Sequence, residues 1–174
     1  MEKVELRILE TLDIAVRFGS TRILIDKIAA RVEHALNQKP DENLAWEPIP
    51  LEFYSSPLPE EIRSSWVFIL RAHATTGPER HPNSHQRMMS YRGSGDFQTR
   101  NDGVWEPHFL KSQQSAPFKK RWISIPPHIW HQAVVEAENW VVVSFHTVPE
   151  EELIEERPEP GEPSTTRQRK YIND

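Results

Sequence analysis

The sequence predicts a mainly β domain, an antiparallel barrel or double-sheet jelly roll, preceded by two helices and an extended arm. Three observations carry this. Seven short runs rich in β-branched and aromatic residues follow one another between Trp66 and Val148. Turn formers separate them, at Thr76-Gly77-Pro78, Gly93-Ser94-Gly95, Asn101-Asp102-Gly103 and Pro126-Pro127. No helical periodicity interrupts the series, which argues against βαβ units.

With 174 residues the chain is the size of one domain with appendages. Residues 1–59 are expected to be N-terminal helices and an arm packing on the barrel, 60–149 the barrel itself, and 150–174 a short acidic helix and polar tail. In the first segment Val4, Ile8, Leu12, Ala15 and Val16 have helical spacing until Gly19. A second stripe, Leu24, Ile28, Val32, Ala35 and Leu36, starts behind Ser20 or Thr21 as cap and stops at Lys39-Pro40. Such stripes are faces laid on a sheet or on a partner subunit. Between Pro40 and Pro59, Trp46, Pro48, Pro50, Phe53, Tyr54 and Pro57 favour an extended arm over regular structure. Strands are expected over 66–75, 85–91, 96–99, 105–110, 121–125, 132–135 and 140–148. The acidic run beginning at Glu150 and the polar residues after it have too little apolar surface for a core of their own.

Composition narrows the function classes. A net charge of -5 lacks the concentrated basic surface that a nucleic-acid partner requires. With no cysteine, disulfides, thiolate ligands and a cysteine nucleophile are excluded, leaving His, Asp, Glu and Gln as metal ligands. The N-terminal stretch is broken by acids and reads as neither signal peptide nor membrane span, so a cytoplasmic protein with no membrane partner is expected. G-x-S-x-G, a dinucleotide-binding glycine loop and H-E-x-x-H are all missing.

The stretch from Glu79 to Gln98 carries His81 and His85 on a turn that runs into a strand, and His131 arrives on a later strand. Together they make the two halves of a metal site, with His81, His85 and His131 as the best ligand candidates. Gln86 and His146 are alternates. Strand alternation puts Gln86, Met88 and Ser90 on one face and His85, Arg87, Met89 and Tyr91 on the other, so His85 and Gln86 cannot both point inward from a regular strand. Candidate substrate-binding residues are Arg71, which would suit a carboxylate, Met88 beside Gln86, and Trp130 as a pocket wall. No catalytic acid, base or nucleophile is identified.

These two segments resemble the motifs of the cupin superfamily, whose small β-barrels commonly hold a divalent metal through histidines and one carboxylate. Its first motif runs glycine, two closely spaced histidines, glutamate, glycine, and Gly77, His81, His85, Gln86 and Gly93 follow that order. Its second runs proline, glycine, histidine, matched by Pro126, His128 and His131. Two departures stand out: three residues separate His81 from His85 where the family has one, and Gln86 falls where the family's glutamate sits. The resemblance covers roughly 66–148. It implies a cupin-type double-stranded β-helix with N-terminal helices, one divalent metal ion with Fe(II) favoured over Zn, Ni or Mn, and a homodimer. The implied function is that of a mononuclear non-haem iron oxidoreductase, dioxygenase-like, acting on a small-molecule substrate. A non-catalytic small-ligand-binding or interaction protein is the alternative, and a metal-dependent isomerase or hydrolase the third reading.

Overall fold

The structure, a computed structural model, describes residues 2–172. Helices α1 (Lys3–Arg17) and α2 (Gly19–Asn37) are separated only by Phe18, whose extended backbone (ψ 134) ends the first and starts the second. Eleven strands follow: β1 (Leu44–Pro48), β2 (Ser64–Leu70), β3 (Gln86–Arg92), β4 (Ser94–Asn101), β5 (Val104–Glu106), β6 (Phe109–Lys111), β7 (Trp122–Ile125), β8 (Trp130–Val135), β9 (Trp140–His146), β10 (Ile154–Glu159) and β11 (Glu162–Lys170). One antiparallel sheet has the order β1-β2-β9-β3-β7, and in a second β4 pairs with β5, β6 and β8. No helix among the described residues is long and apolar enough to cross a membrane.

The five-stranded sheet is buried on both faces, and this explains the unbroken apolar run of β9, all seven of whose residues are buried. Val67, Ile69, Met89, Val141, Val143 and Phe145 meet the stripes of α1 and α2 on one face. On the other, Leu70, Met88, Trp140 and Val142 meet Phe97, Leu110, Ala133 and Val135 of the second sheet. This second core is the barrel interior, and it holds the candidate site. Gly95 is required there, because a Cβ at that position would lie 2.3 Å from the buried Trp140 ring.

Two carboxylates of α1 fasten the helix layer to the sheet. Asp13 accepts from Arg121 Nη1 at 2.6 Å, Trp122 Nε1 at 2.8 Å and Arg17 Nε at 3.1 Å. Glu5 accepts from both arms of Arg87 at 2.8 and 2.9 Å and from Ser124 Oγ at 2.6 Å. Desolvation raises the Asp13 pKa, but the donors outweigh it and hold the carboxyl below its ordinary value.

Three regions differ from the sequence-based expectation. The arm contributes a real strand, β1, because Pro48 falls at its last position, where a missing N–H does little harm. The expected strand over 105–110 is split into β5 and β6 by Pro107. The stretch 150–174 is not a short helix and polar tail: after one 3-10 turn, β10 and β11 form a two-stranded hairpin, with Asn173 and Asp174 outside the described residues. Its charges are internally matched, since the fully buried Glu155 accepts from Arg157 at 2.6 Å and from Arg169 at 2.9 Å. Gly161, at φ 82, supplies the turn.

Replacing Asp13→Ala strands Arg121 and Trp122 Nε1, and we expect a loss of about 2 kcal/mol in urea unfolding. The carboxylate's lowered pKa stabilises the fold fully above the unfolded Asp value of 3.8, so this contribution fades as the pH falls below it. The difference between wild type and variant should therefore shrink in acid. A difference unchanged between pH 7 and pH 3 would contradict the assignment.

Candidate metal centre

The centre is built from one isolated pairing of two chain segments. Glu79 N donates to His131 O at 2.9 Å and His131 N donates to Glu79 O at 2.8 Å, so the two residues oppose each other as a hydrogen-bonded pair. Their side chains stand on the same side, inward. Alternation brings His81 to that side as well and sends Arg80 outward, over the face of Trp130 at 4.6 Å. One ligand atom from each of Glu79, His81 and His131 lies within 4.8 Å of the others. Donors bound to an ion at about 2.1 Å lie roughly 3–4 Å apart, so side-chain shifts of about 1 Å suffice for them to share one.

Hydrogen bonds fix which nitrogen each imidazole presents. His81 Nδ1 lies 2.9 Å from the carbonyl of Ile154, and His131 Nδ1 lies 3.1 Å from the carbonyl of Ile129. A carbonyl only accepts, so both rings carry a proton on Nδ1 and, when neutral, a lone pair on Nε2. Burial first, and then His131, press the His81 pKa down to about 4, keeping that ring neutral at pH 7. His131 Nε2 is buried, has no hydrogen-bond partner, and lies 3.5 Å from Glu79 Oε1. The other oxygen, Glu79 Oε2, accepts from Arg157 Nη2 at 2.6 Å. Burial raises the Glu79 pKa, but His131, then Arg157 and His81, lower it further, so the group is an anion. A neutral His131 would turn a lone pair toward this carboxylate, whereas a proton or a metal cation at Nε2 makes the contact attractive, so the pair is a place where a cation can be held.

Of the residues singled out from the sequence, His81 and His131 meet here, while His85 does not. Its Nε2 is 2.7 Å from Ser124 Oγ on the opposite face of the sheet, because β3 starts at Gln86 and alternation turns the preceding residue outward. Gln86 does face inward. Its Nε2 donates to Ser144 Oγ at 3.1 Å, and its buried Oε1 has no partner. His146 is buried, its ring centroid 5.1 Å from that of His81, with Nδ1 3.2 Å from Ser84 Oγ and Nε2 3.1 Å from Ser144 Oγ. Both nitrogens are therefore engaged, and the ring supports the centre from behind. Met88 lines the same cavity. Arg71 lies elsewhere: its guanidinium donates to the carbonyls of Leu36, Lys39 and Glu42, capping the end of α2. Trp130 lies outside the cavity, beneath Arg80. His128 is exposed with φ 68, the left-handed turn conformation that suits glycine.

Sequence reasoning missed Glu79, Arg157 and Tyr171. For Glu79 a signal existed, since it precedes His81 by two residues, the spacing of the cupin histidine pair. The cavity beside Glu79 and Tyr171 measures about 30 Å³, with Leu70, Phe68, Phe97 and Val142 among its other walls. That is about the volume of one water molecule in the liquid. Two imidazoles and a carboxylate suit a divalent first-row metal ion.

No protein-family model and no curated protein matches the chain. Among solved structures it is similar to pumpkin seed globulin, with TM-score 0.51 and 16% identity over 67% of this chain and 28% of that chain. A recombinant pro-11S globulin of pumpkin gives the same values. The oxalate decarboxylase of Lactobacillus farciminis, in a formate complex, aligns at TM-score 0.48 and 14% identity over 62% of this chain and 30% of that chain. The chain thus spans less than a third of the length of these structures. The likeness to the globulins is one of fold, a cupin-type jelly-roll barrel.

Calorimetric titration of chelator-treated protein with Co(II) checks the ligand set. His131→Ala and Glu79→Gln should each weaken binding by at least about tenfold, the usual scale of losing a ligand or its support. His85→Ala should leave the affinity unchanged. Equal losses for His85→Ala and His131→Ala would rule out the set proposed from the geometry.

Proposed function

We propose that the chain binds one divalent metal ion through Glu79, His81 and His131 and uses it to oxidise a small molecule with dioxygen, Fe(II) being the favoured ion. The single observation behind this reading is that one ligand atom from each of Glu79, His81 and His131 lies within 4.8 Å of the others, with both rings held by backbone carbonyls at Nδ1. Two histidines and one carboxylate on one side of an ion, with the remaining positions open, form the donor set of non-haem Fe(II) oxygenases. Bound Fe(II) would supply redox chemistry toward dioxygen and Lewis acidity toward a substrate. The chain's own contribution is to orient the donors. Ile154 and Ile129 fix the two tautomers, Arg157 holds the second oxygen of Glu79, and the apolar walls leave room for little water beside them. The carboxylate also lowers the net charge of the centre relative to the three histidines, His81, His85 and His131, expected from the sequence.

One observation favours the rival reading, a non-catalytic ligand-binding barrel. The cavity of about 30 Å³ admits a water or a diatomic gas but no metabolite unless a wall moves. Anaerobic loading with Fe(II) followed by oxygen-electrode assays with thiols, amino acids and aromatic acids separates the two. The enzyme reading expects one iron per chain and substrate-dependent oxygen uptake that Glu79→Gln abolishes. Stoichiometric iron with no uptake across the panel would favour the binding barrel, and failure to retain iron would refute both the metal and its chemistry.

A further inference from the structure

The wall most able to move is the C-terminal hairpin. It forms a sheet of its own, and a single isolated bridge, Arg80 with Glu156, joins its backbone ladder to the rest of the domain among the described residues. Tyr171 follows the last residue of β11, and its N–H donates to Leu153 O at 2.9 Å. From there its ring enters the barrel between four others. Its centroid lies 5.2 Å from Trp46, 5.6 Å from Trp66, 6.1 Å from Phe68 and 6.2 Å from His81, at interplanar angles between 52° and 77°. Tilted and edge-to-face contacts of this kind grip a flat aromatic ring from several sides. One of those sides is a proposed metal ligand.

We propose that the box formed by Trp46, Trp66, Phe68 and His81 is the seat of a small uncharged aromatic substrate, which the chain's own Tyr171 fills when the hairpin is docked. This names a substrate class for the centre and rests on the function proposed above. The tyrosine is placed as a competitor because it stands just past the end of a peripheral hairpin. Its ring can leave without any barrel strand separating from its neighbours. Its departure enlarges a cavity that otherwise holds only about 30 Å³. The box also selects against anions. Glu79 puts a carboxylate in the cavity wall, and the cations nearest this end of the hairpin are Arg157 and Arg169. Those two guanidinium groups are already engaged by Glu79 and Glu155, and among the described residues no Lys or Arg lines the cavity. Arg71, the cation that the sequence offered for a carboxylate, is bound to helix carbonyls.

The test uses the full chain without metal, with phenol as probe and benzoate as its charged counterpart, titrated calorimetrically. Removing an internal competitor raises apparent affinity by the fraction of time it occupied the seat, so Tyr171→Ala should bind phenol at least about tenfold more tightly than wild type. Tyr171→Phe keeps the competing ring and should behave as wild type, and benzoate should bind at least about tenfold more weakly than phenol throughout. On wild-type protein, saturating phenol should speed hydrogen exchange of the amides between Thr165 and Tyr171, a measurement that decides the matter even if Tyr171→Ala fails to fold. Unchanged exchange, equal phenol affinity in wild type and Tyr171→Ala, or benzoate binding as tightly as phenol would each overturn the proposal. Cobalt uptake by the same preparations reports separately on the metal centre, so an empty seat with intact uptake is distinguishable from loss of the metal reading.

Discussion

The backbone pairing of Glu79 with His131 is the constraint on which the candidate centre depends. Two reciprocal hydrogen bonds between loop and strand set a carboxylate and an imidazole on one side of the ladder, whatever their side chains prefer. A buried polar atom without a partner costs about 1–3 kcal/mol, and a cation held between His131 Nε2 and the Glu79 carboxylate removes that cost. The second imidazole, His81, presents its Nε2 to the same space because a carbonyl claims its Nδ1. A cation held among them makes the arrangement favourable, which gives a physical reason for three such side chains to share a buried space.

The surroundings divide the remaining work between the two faces of one sheet. On the outer face, Glu5 and Asp13 of α1 tie down Arg87 of β3 and Arg121 and Trp122 at the start of β7, making the strand that carries Gln86 and Met88 rigid. On the inner face, the hairpin reaches the centre three times. Ile154 fixes His81, Arg157 fixes Glu79, and Tyr171 closes the cavity. Anything that displaces the hairpin therefore acts on two of the three donors as well as on access, so occupancy of the centre and docking of the hairpin are thermodynamically linked.

The barrel was legible in the sequence because its signals are local: alternation, β-branched runs and turn residues such as Gly93, whose φ of 86 turns the chain from β3 in one sheet to β4 in the other. Parity within β3 was legible for the same reason. It already stated that His85 and Gln86 point to opposite faces, although it could not say which of them faced inward. The ligand set was half legible. His81 and His131 stood out as histidines, while Glu79 was passed over because the pair was read as His81 and His85 and not as two donors with one residue between them. The hairpin was not legible at all. Besides the pairs within the hairpin, two of its charges find partners across the fold, Glu156 with Arg80 at a separation of 76 residues and Arg157 with Glu79 at 78, so the segment looks like a solvated tail until the partners are in place. Arg71 shows the same limit, since a cation among apolar neighbours is read as an inward substrate ligand until the end of α2 arrives to accept its hydrogen bonds.

The central claim is that one ion sits between Glu79, His81 and His131. Anomalous diffraction from crystals of the Co(II)-loaded protein locates the ion directly. The expected result is a single peak within about 2.3 Å of Glu79 Oε1 and of Nε2 in both histidines. A peak at His85, or no peak at this centre under saturating cobalt with Glu79 and His131 in direct contact, would contradict the account.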